Sequence, residues 1–226
     1  MCIFITSLEN PCYKAQLYIL NHHPSFIWNI KNPCDEVKMA MVKEDPSYIF
    51  LIDNPPEDLL IEAVKKDGSV ISMIENPSET VCIEAVKQNG YAIKSINPNL
   101  QTINVQLAAI EREPKVVSVM NNPSEEVIIK ALELRPELIS IVKGNNMTLN
   151  VQLAAVRTRP SVINMIPNPE PEAISLAIHQ NGLLIRNYQK QYPELREVAI
   201  RQNPFAIRCL HNLTLGIHFS VTDVLL

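Results

Sequence analysis

The sequence predicts an all-α fold, an α-solenoid of about nine helix-turn-helix repeats of 22–24 residues in a single domain, 1–226. Three observations support this prediction: a recurrent Asn-Pro pair, a second recurrent Pro or Gly, and apolar positions that keep one register. A period of 20–50 residues is typical of repeat proteins, in which each unit contacts only its neighbours. The Asn-Pro pairs begin at residues 10, 32, 54, 76, 97, 122 and 168.

A second chain-breaking position follows most of these prolines by 13 residues. Steps of 22 or 24 residues separate its members, which are Pro24, Pro46, Gly68, Gly90, Pro114, Pro136, Pro160, Gly182 and Pro204. Proline inside a helix costs about 3 kcal/mol, so the first helix of each unit must fit between the two positions, in roughly ten residues. The chain left before the next Asn-Pro is long enough for a second helix of one or two turns.

The ends of both helices have sequence signals. In the clearest unit we expect Asn76 to be the N-cap, Pro77 the first helical residue and Glu79 the third, a variant of the capping box. A second Asn or Asp is expected to begin the shorter helix, as at Asp67 and Asn89. Cations are expected in the last turn of the first helix, where they complement the helix dipole or form a ladder that binds an acidic partner, a nucleotide or a nucleic-acid strand. They are Lys43, Lys65, Lys87, Arg157, His179 and Arg201.

Three apolar columns repeat with the same period. A small residue lets neighbouring helices approach closely, and one column consists of Ala63, Ala85, Ala109, Ala131, Ala155, Ala177 and Ala199. In the second helix, one column runs Ile27, Ile49, Ile71, Ile93, Val117, Ile139, Ile163, Ile185 and Ile207. The other, three residues later, runs Ile30, Ile52, Ile74, Ile96, Met120, Val142, Ile166, Tyr188 and Leu210. Leucine-rich repeats have a similar period, but the L-x-x-L-x-L strand that they need is absent, so helix is favoured.

The ends of the chain are expected to differ from the repeats. Residues 1–9 fit the second half of a unit and form an N-terminal half-repeat cap, 10–210 form the repeats, and 211–226 form a C-terminal cap or tail. The tail either covers the last apolar face or meets a partner.

The units resemble the short helical repeats, close to N-P-S-E-E-V-x-x-x-A-V-K-Q-N-P-x-x-I-x-x-I, found in uncharacterised bacterial and bacteriophage proteins. Residues 76–96, 122–141 and 202–207 carry the resemblance best. The Asn-Pro start is lost at 143–145 and 189–191. The resemblance implies a helical repeat scaffold and no catalytic motif.

The composition excludes several classes of function. A net charge of −4 argues against a general binder of nucleic-acid backbones, which needs excess Lys and Arg. No stretch of 18 apolar residues exists, so no membrane partner is expected. Five cysteines without a CxxC pair fit a reducing cytoplasm. Neither a metal site, a cofactor motif nor a catalytic acid–base–nucleophile set is found, so we expect no enzyme.

Seven residues are candidates for partner binding. Trp28 and Phe50 occupy a second-helix slot that is polar in most other units, which indicates either an exposed patch or packing against the truncated first unit. All eight arginines lie from Arg112 onward; residues 1–100 hold 13 acids and 8 lysines, and 101–226 hold 11 acids and 12 basic residues. The arginines favoured for an anionic contact are Arg135, Arg157, Arg159, Arg186 and Arg208, although compositional drift explains the asymmetry equally well.

The sequence therefore predicts a cytoplasmic, non-enzymatic scaffold that binds a protein partner. A phage-encoded inhibitor or adaptor acting on a host protein is one form of this prediction. The alternative is nucleic-acid or nucleotide binding through the Arg-bearing half.

Overall fold

The computed structural model describes residues 12–23, 30 and 33–210. Within this part of the chain every regular element is helical, and there is no strand. The chain divides into two compact units, residues 1–121 and 122–226. In each unit, consecutive helices pack against one another in chain order, which confirms the all-α solenoid arrangement. The single domain stays a prediction, and the expected caps, 1–9 and 211–226, lie outside the described residues.

The units combine α-helices with shorter 3₁₀ helices. The α-helices are α1 Tyr13–His22, α2 Asp35–Glu44, α3 Glu57–Lys66, α4 Glu79–Gln88, α5 Ile103–Arg112, α6 Glu125–Leu134, α7 Leu149–Thr158, α8 Pro171–Gln180, α9 Ile185–Tyr188 and α10 Leu195–Gln202. The 3₁₀ helices are η1 Pro46–Leu51, η2 Gly68–Met73, η3 Gly90–Ser95, η4 Pro98–Leu100, η5 Pro114–Val119, η6 Pro136–Ile141, η7 Gly144–Asn146, η8 Pro160–Met165, η9 Gly182–Leu184 and η10 Pro204–Cys209.

The predicted short second helix is present, and it is a 3₁₀ helix in most units. Its first apolar column lies within the helix, whereas the second column in most units is the residue directly after it, which has an extended backbone, as at Ile52, Ile74 and Ile96. Ile49 of η1 and Ile52 are 2% and 6% exposed. The Ala column of the α-helices is fully buried at all seven positions, as predicted. Ile207 is an exception among the described members, because it is 44% exposed.

The predicted helix start at Asn76 is wrong. Helix α4 begins at Glu79, and its N-cap is Ser78, whose Oγ accepts a hydrogen bond from the Val81 N–H at 3.3 Å. Asn76 instead has a left-handed backbone, with φ +49°. Asparagine tolerates this region better than most residues, so it reverses the chain direction before the next helix. Pro77 therefore belongs to the turn, and Glu79 is the first helical residue.

The predicted start of the shorter helix is confirmed. The side chains of Asp67 and Asn89 accept hydrogen bonds from the backbone N–H two residues later, at 2.9 and 3.1 Å. Six described junctions have such a cap, at Asp45, Asp67, Asn89, Glu113, Asn181 and Asn203.

The C-terminal ends of several α-helices are hydrogen-bonded by the repeat that follows. The last carbonyls of a helix have no partner within it. Gln88, at the end of α4, donates to the Lys66 carbonyl of α3 at 3.3 Å and accepts from the Gly68 N–H at 2.7 Å. Arg112 in turn donates to the Gln88 carbonyl at 3.2 Å. We call these contacts the C-terminal ladder. They fix the register between neighbouring repeats.

A matching ladder runs along the N-terminal ends. The Ser78 hydroxyl, which caps α4, also donates to the Glu57 carboxylate of α3 at 2.5 Å. The Thr102 hydroxyl, which caps α5, donates to the Glu79 carboxylate of α4 at 2.6 Å. These hydroxyls therefore satisfy their own helix and also contact the preceding one. Hydrogen bonds at both ends thus join neighbouring α-helices.

Candidate functional site

Phe50 lies on η1 with its ring largely in solvent. It is 59% exposed, so it is not buried among the described residues. The equivalent positions of other repeats hold polar side chains, such as Ser72 of η2 and Ser118 of η5. The structure therefore places an aromatic ring where this architecture accepts a serine. Trp28, the other residue of this pair, lies outside the described residues.

Phe50 borders a groove of 640 Å³ between η1 and η2. Met73, the last residue of η2, also lines it and is 49% exposed. Leu60 of α3 also lines the groove. An exposed aromatic ring and a thioether on adjacent short helices therefore give the groove two solvent-exposed apolar side chains.

Two carboxylates line the groove in the turns that follow the two 3₁₀ helices. Asp53 follows η1 and Glu75 follows η2, and both side chains are exposed. Each precedes a left-handed asparagine, Asn54 with φ +48° and Asn76 with φ +49°. The two turns therefore have the same backbone and present one carboxylate per repeat.

Asp53 and Glu75 are functional candidates that the sequence reasoning missed. A signal was available, because an acidic residue directly precedes Asn-Pro at both positions, in adjacent repeats. Only the packing of two consecutive turns shows that they border the same groove as Phe50.

The five candidate arginines lie in the second unit. Arg157, Arg159, Arg186 and Arg208 are exposed, whereas Arg135 is half-buried. Arg159 forms an ion pair with Glu137 of η6, with an N–O distance of 3.2 Å. The Arg208 guanidinium lies over the Phe205 ring, 5.3 Å from its centroid. Both side chains are thus already in contact with the protein surface.

Arg135 and Arg159 interrupt the pattern of caps. They precede η6 and η8, at the position where other junctions use Asp, Asn or Glu to accept a backbone hydrogen bond. Arginine has only donors, so neither side chain forms this cap. Losing a cap of this kind costs about 1 kcal/mol. The Glu137 ion pair compensates at Arg159 only in part, since exposed pairs contribute about 0.2–1 kcal/mol.

The predicted cations of the α-helix ends lie where expected. Lys65 and Lys87 are in the last turns of α3 and α4, and both lie near the Glu84 carboxylate, at 3.7 and 2.7 Å. These ion pairs hold the pKa of Glu84 below its ordinary value, with the Lys87 hydrogen bond as the largest cause. The cations therefore contact the carboxylates of their own surface.

Among the described residues, no group of three or more His, Cys, Asp or Glu side chains is placed to hold a metal ion. The helices there are also too short or too polar to cross a bilayer.

Comparison with known proteins gives no relative: the chain matches no protein-family model, no curated protein and no solved structure at a significant level.

Proposed function

We propose that this protein is a non-enzymatic repeat scaffold that binds a protein partner through the groove between η1 and η2. The observation that carries the proposal is the 59% exposure of Phe50, in a slot where other repeats hold serine. A phenyl ring left in water is unfavourable, and the same fold accepts a small polar side chain there. Exposed aromatic side chains beside other apolar groups are typical of the central residues of protein interfaces.

The resemblance of the repeats to those of bacterial and bacteriophage proteins directs the choice of partner. We propose a bacterial cytoplasmic protein as the target, with the chain acting as an inhibitor or adaptor. Such a role needs a surface of fixed shape and no chemistry, and the two ladders of hydrogen bonds in the first unit support this proposal.

The test compares affinity purification from a bacterial lysate with three baits: wild type, Phe50→Ser and Met165→Ser. Met165 is the matched control, because it occupies in η8 the slot of Met73 in η2 and is 42% exposed. We expect wild type and the control to retain the same stoichiometric partner and Phe50→Ser to lose it. Retention of that partner by Phe50→Ser, or no stoichiometric partner for wild type, would refute the proposal.

Phe50→Ser is a clean variant because it should leave the fold intact. Serine occupies this slot in η2, η5 and η6, at Ser72, Ser118 and Ser140. We expect the far-ultraviolet circular dichroism spectrum and the urea midpoint to be unchanged. A lower midpoint would mean that the ring stabilises the fold and is not reserved for a partner.

A second candidate function is binding of a nucleic acid or nucleotide by the Arg-bearing half. The observation that favours it is the loss of the cap at Arg135 and Arg159, since an unfavourable residue at a structural position needs another reason to be there. Arginine binds phosphate oxygens with two parallel N–H donors.

The assay for this candidate is retention on heparin and on single-stranded DNA at increasing salt. We expect the double variant Arg157→Ala, Arg159→Ala to elute earlier and to show a smaller salt dependence. Lys65→Ala, Lys87→Ala is the control, because it removes the same charge from the first unit. Equal elution of both double variants would contradict a specific anionic site.

A further inference from the structure

We infer that the groove between η1 and η2 takes an extended peptide segment in which Lys or Arg residues lie beside apolar ones. The inference rests on the proposed function and names the chemistry of the partner. It follows from the charges, the spacing and the apolar side chains of the groove.

The charge of the groove has one sign. Among the residues that the structure describes, its lining contains the carboxylates of Asp53 and Glu75 and no Lys, Arg or His. Neither carboxylate forms an ion pair with a described residue. The corresponding residues of the repeats that follow are Asn97, Asn121, Lys143 and Pro167, so the paired negative charge of this groove is not repeated there. A cationic segment would complement it, and complementary charge determines both the rate and the specificity of association.

The spacing expected for two carboxylates on consecutive repeats fits an extended peptide. They lie on consecutive repeats, and packed helices are about 8–10 Å apart. A polyproline II segment has three residues per turn and rises about 3.1 Å per residue, so its residues i and i+3 lie on one side about 9 Å apart. Two cationic side chains at i and i+3 can therefore face Asp53 and Glu75 at the same time.

The apolar part of the groove accounts for the rest of the segment. Phe50 and Met73 face solvent beside the carboxylates, and Leu60 contributes to the wall. Apolar residues between or next to the cations would cover these side chains. The aliphatic stems of Lys and Arg also pack on aromatic rings, and Arg stacks on their faces.

The experiment selects binders from a library of displayed random peptides of 12 residues, with the full-length chain as bait and Phe50→Ser as the counter-selection. Recovered peptides are synthesised with a fluorophore, and their affinities are measured by fluorescence polarisation at two salt concentrations. The proteins are wild type, Phe50→Ser, Asp53→Asn with Glu75→Gln, and the control Met165→Ser. Asparagine stands at the position of Asp53 in another repeat, Asn121, so the charge-removing variant should fold.

We expect the selected peptides to be enriched in a basic residue, two intervening residues and a second basic residue, with an apolar residue adjacent. Removing both carboxylates should weaken their binding about 3–10-fold, since each exposed charge pair contributes modestly. Added salt should weaken binding to wild type more than to this variant. Met165→Ser should bind as wild type does.

The outcomes separate this inference from the proposed function. The basic-segment inference is overturned if the selected peptides need Phe50 but contain no Lys or Arg. It is also overturned if they bind the variant without the two carboxylates as tightly as wild type. In both cases the groove remains the binding site. Peptides that bind Phe50→Ser as well as wild type overturn both. Failure to enrich any peptide that depends on the groove overturns the inference, and the lysate comparison then decides the proposed function separately.

Discussion

Gly68, the first residue of η2, should not tolerate a methyl group. A Cβ built on it would lie 2.4 Å from the Ala85 carbonyl oxygen of the next α-helix, about 1 Å inside ordinary contact. That oxygen is backbone and already accepts the Asn89 N–H at 2.9 Å, so it cannot move alone. The methyl group would separate two repeats and stretch the hydrogen bond from Gly68 to Gln88.

The magnitude follows from three contributions. Overpacking of this kind costs about 1–3 kcal/mol. Weakening the hydrogen bond to Gln88 costs about 1 kcal/mol, and alanine recovers about 0.4–1 kcal/mol because it restricts the unfolded chain. We therefore expect Gly68→Ala to lower the free energy of unfolding by about 2 kcal/mol. With a urea dependence of about 2 kcal/mol per molar, the midpoint should fall by about 1 M.

Gly90→Ala is the control within the same unit. There the nearest atoms to the added Cβ, on Ala109 and Glu113, are at 3.1 Å, and a shift of a few tenths of an ångström relieves them. Its midpoint should change by less than about 0.3 M. Urea unfolding followed by circular dichroism at 222 nm measures both variants. If the midpoint of Gly68→Ala is no lower than that of Gly90→Ala, close contact at the Ala column does not limit the distance between repeats.

Two further predictions concern titration and thiol accessibility. Hydrogen bonds from Thr102, the larger effect, and from Asn104 lower the pKa of Glu79 from 4.5. The ionised Glu79 carboxylate therefore stabilises the fold above pH 4.5, and this stabilisation disappears as the pH falls through the lowered pKa. Glu79→Gln should flatten the acid side of a plot of urea midpoint against pH, and an unchanged slope would contradict the ladder. Cys82 is fully buried and burial raises the pKa of its thiol, whereas Cys12 is exposed. A disulfide reagent should therefore modify Cys12 in the native protein and Cys82 only after unfolding. Rapid modification of Cys82 in the native protein would show that α4 opens locally.

The repeat register could be predicted because it depends on backbone chemistry that is visible in one sequence. Proline is unfavourable inside a helix, so the prolines show where the helices end. The Ala column supplies the small side chains that neighbouring helices need in order to pack closely. The helix start at Asn76 could not be predicted in the same way. Asparagine both caps helices and adopts left-handed backbone, and only the geometry of the turn decides between these roles.

The groove proposed as the binding site was predictable only in part. Phe50 departs from the polar pattern of its column, so the sequence singles it out. That Asp53 and Glu75 line the same groove depends on how the turns of two consecutive repeats pack, and the residue spacing alone does not give the direction of a side chain. The ladders were missed for the same reason, since a glutamine such as Gln88 looks like an ordinary surface residue until the neighbouring carbonyl is located.

The C-terminal ladder also gives the array a direction of assembly. The last turn of α3 is completed by Gln88 and that of α4 by Arg112, so each of these helices depends on chain that the ribosome synthesises about one repeat later. A nascent array should consequently carry one frayed helix at its growing edge. Deletions are constrained in the same way. Deleting one full repeat places a side-chain donor beside the helix-end carbonyl of another repeat, so the hydrogen bond can form again. Deleting half a repeat leaves both the donor and the carbonyl without a partner.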